Sequence, residues 1–160
     1  MKNLIVIISF LMMSSSVFAN NRISAIEVPS ILSCVKAVGD STAVVCIGIR
    51  NRFEAAAVIS CVNAVDSIAA IACKGVRNDR ETAAVVSCVE TVGNNAAIAC
   101  GGVKGRFDTD VVASCIKSIE NNSAAIACRG VKNTRDVSNV TACVKAVGIN
   151  AVIACGNSDL

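Results

Sequence analysis

The chain has no histidine, no tyrosine and no tryptophan, and a single proline. Histidine is the side chain that most often moves protons in enzymes. Without it, and with no nucleophile set beside a base along the chain, the sequence points away from catalysis. The same lack removes the usual partner of cysteine in zinc sites, so no metal or cofactor is expected. No Cys-x-x-Cys pair occurs either, which leaves out the common dithiol redox motif. Aromatic rings are scarce, and only Phe53 and Phe107 lie beyond the first 19 residues. Protein-binding hot spots favour Trp, Tyr and Arg, and of these only arginine is present. Charge is nearly balanced, with 15 basic against 12 acidic residues and a net +3. That excess is too small to argue for nucleic acid, and no nucleic-acid partner is expected.

What is present begins with a leader. Lys2 supplies a basic start, residues 4–13 an apolar run, and Val17-Phe18-Ala19 small residues at the positions a signal peptidase reads. Residues 1–19 are therefore expected to be a signal peptide. The run is too short to span ~30 Å of hydrocarbon, so no membrane span is expected in the mature chain. The expected location is extracytoplasmic, periplasmic or secreted. Losing Lys2 leaves 14 basic and 12 acidic residues, a net +2. Residues 20–27 read as a lead-in whose Ile23 and Ile26 can cover the open apolar face of the first repeat.

The remainder is one sequence copied five times. Ten cysteines set the register: Cys34, Cys46, Cys61, Cys73, Cys88, Cys100, Cys115, Cys128, Cys143 and Cys155. Their gaps alternate 12 and 15, apart from one 13. The units are residues 28–54, 55–81, 82–108, 109–136 and 137–160, the fourth carrying one extra residue in its Glu120–Ser123 turn. Repeats at a fixed short period bury their apolar faces against neighbours, which makes residues 28–160 a single repeat domain.

The first half of each unit has a helical period. In the third unit Val85, Cys88, Val89 and Val92 fall at i, i+3, i+4 and i+7, one face of an α-helix. The second half, such as Ala96-Ala97-Ile98-Ala99-Cys100, is apolar nearly all round. Its alanine content favours a second, buried helix over a strand. Gly39, Gly93 and Gly148 are expected at the end of the first helix, followed by Asp40, Asn94 and Asn150 as caps of the second. Gly48, Gly75, Gly102 and Gly130 are expected near the end of that second helix, where close packing or fraying tolerates them. Asn51, Asn78, Gly105 and Asn133 separate the units, in a left-handed conformation that suits Asn and Gly. Glu54, Glu81, Asp108 and Asp136 resemble the acidic half of a capping box three residues later. The expected fold is all-α, a right- or left-handed α-solenoid of five short helical hairpins. A β-solenoid is the rival, because Val, Ile and turn residues also suit strands.

In an antiparallel hairpin the two cysteines of a unit lie equally far from the turn, hence at the same level. Pairing between units would leave Cys34 and Cys155 free at opposite ends. Pairing along a stack fails on parity, with five cysteines per column, and on distance, because helices pack roughly 8–10 Å apart. The expected bonds are Cys34–Cys46, Cys61–Cys73, Cys88–Cys100, Cys115–Cys128 and Cys143–Cys155. Each closes a short loop, contributing about 3 kcal/mol in the chain-entropy model. Such a disulfide framework belongs in an oxidising compartment.

One feature beyond architecture recurs. Arg50, Arg77, Lys104 and Lys132 occupy one equivalent position, with Arg52, Arg80, Arg106 and Arg135 close behind. Stacked units would line the first four into a candidate anion-binding column, suited to an anionic polymer such as a cell-envelope polysaccharide. An acid comes four residues after each member, which fits a solvated, partly neutralised row better than a binding site. The expectation for function is thus a non-enzymatic, cysteine-rich structural or binding scaffold. The sequence does not identify its partner; an anionic polysaccharide and a protein are the candidates.

Overall fold

The computed structural model describes residues 27–156, and within them each unit is an α-helix followed by a short 3-10 helix. The α-helices are α1 (Glu27–Val38), α2 (Arg52–Ala64), α3 (Asp79–Val92), α4 (Arg106–Ile119) and α5 (Thr134–Val147). The 3-10 helices are η1 (Asp40–Cys46), η2 (Ala70–Cys73), η3 (Asn94–Cys100), η4 (Asn122–Cys128) and η5 (Ile149–Cys155). No strand occurs among the described residues, which removes the β-solenoid. The expected signal peptide, nearly all of the lead-in and residues 157–160 lie outside them. No helix among the described residues is long and apolar enough to cross a membrane.

Each α-helix packs on the α-helix of the next unit, and each 3-10 helix on the next 3-10 helix, so the chain builds two layers. Between the layers runs a ladder of disulfides with the five expected pairings. Their Cα atoms are 5.6 to 5.9 Å apart, so the two cysteines of each unit are at one level. No described cysteine is free. The first four bridges are wholly buried, whereas Cys143 and Cys155, in the last unit described, are half-buried.

The second element is a correction: it is a 3-10 helix where an α-helix was expected. Three residues per turn divide its surface into three faces. In η3, Ala96 and Ala99 share one buried face, Ala97 and Cys100 the next, and Ile98 on the third is half-buried. Alanine on two of three faces lets this thin rod sit between its neighbours and against the cystine. Seven residues cover about 14 Å as 3-10 helix, against about 10 Å as α-helix. The stretched form therefore spans more of the α-helix beside it with fewer residues.

The glycines after the second cysteine also differ from expectation. They are not in a helix but at the third position of a type II turn that closes each 3-10 segment. Ile47, with φ −68 and ψ 127, is followed by Gly48 at φ 87, and the Ile49 N–H donates to the Cys46 carbonyl at 3.4 Å. The turn repeats around Gly75, Gly102 and Gly130. Its third position needs positive φ, which glycine adopts without steric cost. The turn then delivers a buried anchor, Ile49, Val76, Val103 or Val131, back into the core.

Gly39, Gly93 and Gly148 end α1, α3 and α5 as expected, but with φ near 80 and ψ near 160 instead of the left-handed helical values. This region is essentially reserved for glycine. The two units that lack the glycine take other routes. Asp66 stands there in the second unit, and α2 stops early at Ala64, with Val65 extended. In the fourth unit Glu120 adopts φ 52 and ψ 20, and the extra residue is absorbed where Asn121 caps η4. Asp40 and Asn94 do not cap their segments but are their first residues, without a side-chain cap bond. Asn94 instead donates to Asp66 Oδ2 at 2.9 Å, tying the second and third units together. The side chain of Asn150 lies outside the described residues. Two further ties between units are buried: the Thr82 and Thr109 hydroxyls donate to the Ala57 and Ala84 carbonyls of the preceding helices at 3.2 and 3.4 Å.

The conformation at Gly93 gives a direct test. A Cβ there would meet nothing within 4 Å, so any cost of Gly93→Ala is a backbone cost. Urea unfolding of the disulfide-intact protein should show the variant destabilised by about 1–3 kcal/mol.

Candidate anion-binding edge

All four candidate cations sit at the residue just before the N-cap of an α-helix. The type II turn and its buried anchor fix this placement. Ile49 is buried, so Arg50 beside it points outward, and the same alternation sets Arg77, Lys104 and Lys132 at the surface. The N-caps themselves are Asn51, Asn78, Gly105 and Asn133, and here the expected left-handed backbone is corrected. They are extended, with φ from −155 to −170. The Asn51 Oδ1 accepts the Phe53 and Glu54 N–H groups at 3.0 Å, and Asn78 and Asn133 act alike. Asparagine is here because its short carbonyl reaches the unpaired amides of a helix start, a capping role.

The capping acids behave unexpectedly. Each accepts the backbone N–H of the column cation itself, one residue before the cap. Arg50 N donates to Glu54 at 2.8 Å, and Arg77 N, Lys104 N and Lys132 N donate to Glu81, Asp108 and Asp136 at 2.9 Å. The acids are therefore held on the main chain, and this bond fixes the cation's backbone while its side chain extends outward. All of these acids are half-buried, and the four cations are exposed.

Consecutive turns leave hollows between units along this edge. One of about 300 Å³ lies at the first and second units and is lined by Arg50, Arg77 and Glu54, among others. Another of about 220 Å³ lies at the third and fourth units and is lined by Lys104, Lys132 and Asp108. The structure thus places Arg50 with Arg77 in the lining of one hollow and Lys104 with Lys132 in the lining of another. Lys74 and Arg129, second residues of their type II turns, also line the first hollow. The repeat pattern does not single them out, because the equivalent position is Ile47 in the first unit and Gly101 in the third. A separate concavity of about 610 Å³ lies between α3 and α4, with Arg80 and Arg106 at its rim over Ala83, Ser87 and Thr91.

The second basic row, Arg52, Arg80, Arg106 and Arg135, falls within the first turn of the helices and is exposed. Both described aromatic rings are there too. Phe53 and Phe107 occupy one equivalent position two units apart, 69% and 68% exposed, and the Arg52 guanidinium carbon lies 5.0 Å from the Phe53 ring centre. The Ser33, Ser60, Ser87 and Ser114 row is exposed along the helices.

Gly105 is the one N-cap in this set without a side-chain acceptor. Its φ of −170 suits any residue, and a Cβ would meet nothing within 4 Å. Gly105→Asn should therefore raise stability by a few tenths of a kcal/mol, measured as a higher denaturant midpoint at unchanged slope. Comparison with known proteins finds no match for this chain among family models, curated proteins or solved structures.

Proposed function

We propose that this protein is an extracytoplasmic, non-enzymatic repeat scaffold, exported by residues 1–19 and held rigid by its disulfide ladder. The observation that supports this reading is the burial of the cystines. Cys34, Cys61, Cys73, Cys88, Cys100, Cys115 and Cys128 are 0% exposed and Cys46 is 1% exposed, in a core otherwise built from Ala, Val and Ile. Such a core buries little area per residue, so the bonds supply stability that side-chain packing does not. They form and persist in oxidising compartments. Produced in one, the protein should be helical and free of thiols, with five links in non-reduced peptide maps. Produced in a reducing cytoplasm it loses about 3 kcal/mol per missing bond and should be unfolded by far-UV circular dichroism. A folded, fully reduced protein would remove the argument for export.

A second reading is favoured by the hollows at the column residues. On it the scaffold binds an anionic polymer of the cell envelope through Arg50, Arg77, Lys104 and Lys132. Evenly repeated cations give avidity that a single site lacks. The interaction should weaken with salt, because the screening length falls from about 10 Å at 0.1 M to about 3 Å at 1 M. The native protein should be retained on immobilised heparin, and a variant with all four residues changed to Gln should elute earlier with the same helical spectrum. Identical elution of the two would discard the polymer reading.

A further inference from the structure

The hollow at the first two units is unlike the other. It is lined by four cationic side chains, Arg50, Lys74, Arg77 and Arg129, and one acid, Glu54. The corresponding hollow at the third and fourth units has two cations and one acid. Formal charge is therefore +3 in one and +1 in the other. Glu54 is turned to the main chain, accepting the Arg50 N–H at 2.8 Å. Among the described residues, none of the four cationic heads is held in a hydrogen bond or ion pair. Four like charges around one small volume repel one another, and the Glu54 carboxylate offsets only one of them.

Arg129 is the unusual member, because it belongs to the fourth unit. It sits at the second position of its type II turn, where the earlier units carry Ile47, Lys74 and Gly101. The glycine in this row is not needed by the backbone, since Gly101 has φ −60 and ψ 123, values open to any residue. It is needed for space. A Cβ on Gly101 would lie 3.0 Å from Arg129 Nε and 3.3 Å from its Cζ and Nη2. Gly101 is buried although it is in a surface turn, because the guanidinium lies over it. The missing side chain in the third unit clears a path by which the arginine of the fourth reaches the hollow of the first two.

We propose that this hollow is a binding site for a phosphomonoester, held by Arg50, Lys74, Arg77 and Arg129 and assembled by the absence of a side chain at Gly101. A carboxylate or sulfate ester brings one negative charge, whereas a phosphomonoester brings about 1.5 to 2 near neutral pH and three acceptor oxygens. Planar guanidinium groups match those oxygens two at a time. At about 300 Å³ the hollow has room for a phosphate together with part of the molecule that carries it. The inference deepens the anion-binding reading of Arg50 and Arg77, and it narrows the ligand from a long polymer to a compact group.

The test is calorimetric titration of the mature, disulfide-intact protein with inorganic phosphate, glucose 1-phosphate, methyl sulfate and acetate. Saturable binding of both phosphates, at least about tenfold tighter than methyl sulfate or acetate, is expected. Tighter binding of glucose 1-phosphate than of inorganic phosphate identifies a phosphorylated sugar as the source, and equal binding identifies free phosphate. Arg129→Gln should weaken phosphate binding at least about tenfold. Gly101→Ile should do the same without touching a charge, and the fold tolerates isoleucine at this turn position in the first unit. Lys104→Gln with Lys132→Gln should leave phosphate binding unchanged while reducing retention on heparin, which separates this site from the polymer column. Undiminished phosphate binding in Gly101→Ile or Arg129→Gln, or equal affinity for acetate and phosphate, would overturn the proposal.

Discussion

The rest of the structure depends on one constraint: a cystine at the centre of every unit holds the two layers at a fixed separation. With Cα atoms under 6 Å apart, the layers can admit only small side chains around each bridge. The partner rod is accordingly alanine on two of its three faces, and the α-helix presents valines such as Val58, Val85 and Val112 at 0 to 1% exposure. A core with no described aromatic ring can be dry and close-packed in this way, but its buried area per residue is low. Covalent bonds supply much of what a larger core would otherwise provide.

The same constraint determines where charge goes. Each 3-10 rod ends at its cysteine, and the chain must turn at once to begin the next α-helix. A type II turn does this in four residues, and its geometry imposes an order on the next three positions: a buried Ile or Val, an exposed cation, then an N-cap. The capping acid accepts the cation's own backbone N–H. Acid and base at this spacing are therefore not a mutually neutralising surface pair. The acid completes the helix start, and the base is left on the surface. A basic edge results from the way helices begin in this repeat, and function can then be built on it by local changes such as Gly101 and Arg129.

The units are alike enough to stack and different enough to be specialised. Asp66 replaces a cap glycine and becomes an acceptor for the next unit. Glu120 takes up an inserted residue with a left-handed backbone. Neither change disturbs the bridge beside it, since Cys61–Cys73 and Cys115–Cys128 keep Cα separations of 5.7 Å. Variation is tolerated at the turns because the buried cystines, not the turns, hold the layers in register.

The sequence alone determined the period, the helical first half, the disulfide pairing and the equivalence of the four column cations. These are properties of spacing: the apolar period marks a helix face, and cysteines equidistant from a turn meet at one level. Tertiary structure decided three other things. It chose 3-10 over α geometry in the second half, because periods of 3.0 and 3.6 bury nearly the same positions over seven residues. It assigned Asn51, Asn78 and Asn133 to capping with an extended backbone, a distinction of dihedral angle that composition does not carry. And it brought Arg129 to Arg50, Lys74 and Arg77, residues 52 to 79 positions earlier, by way of a glycine whose role is the room it leaves. Spacing along a chain records which residues lie at equivalent positions, but only packed coordinates record which long side chain crosses from one unit to another.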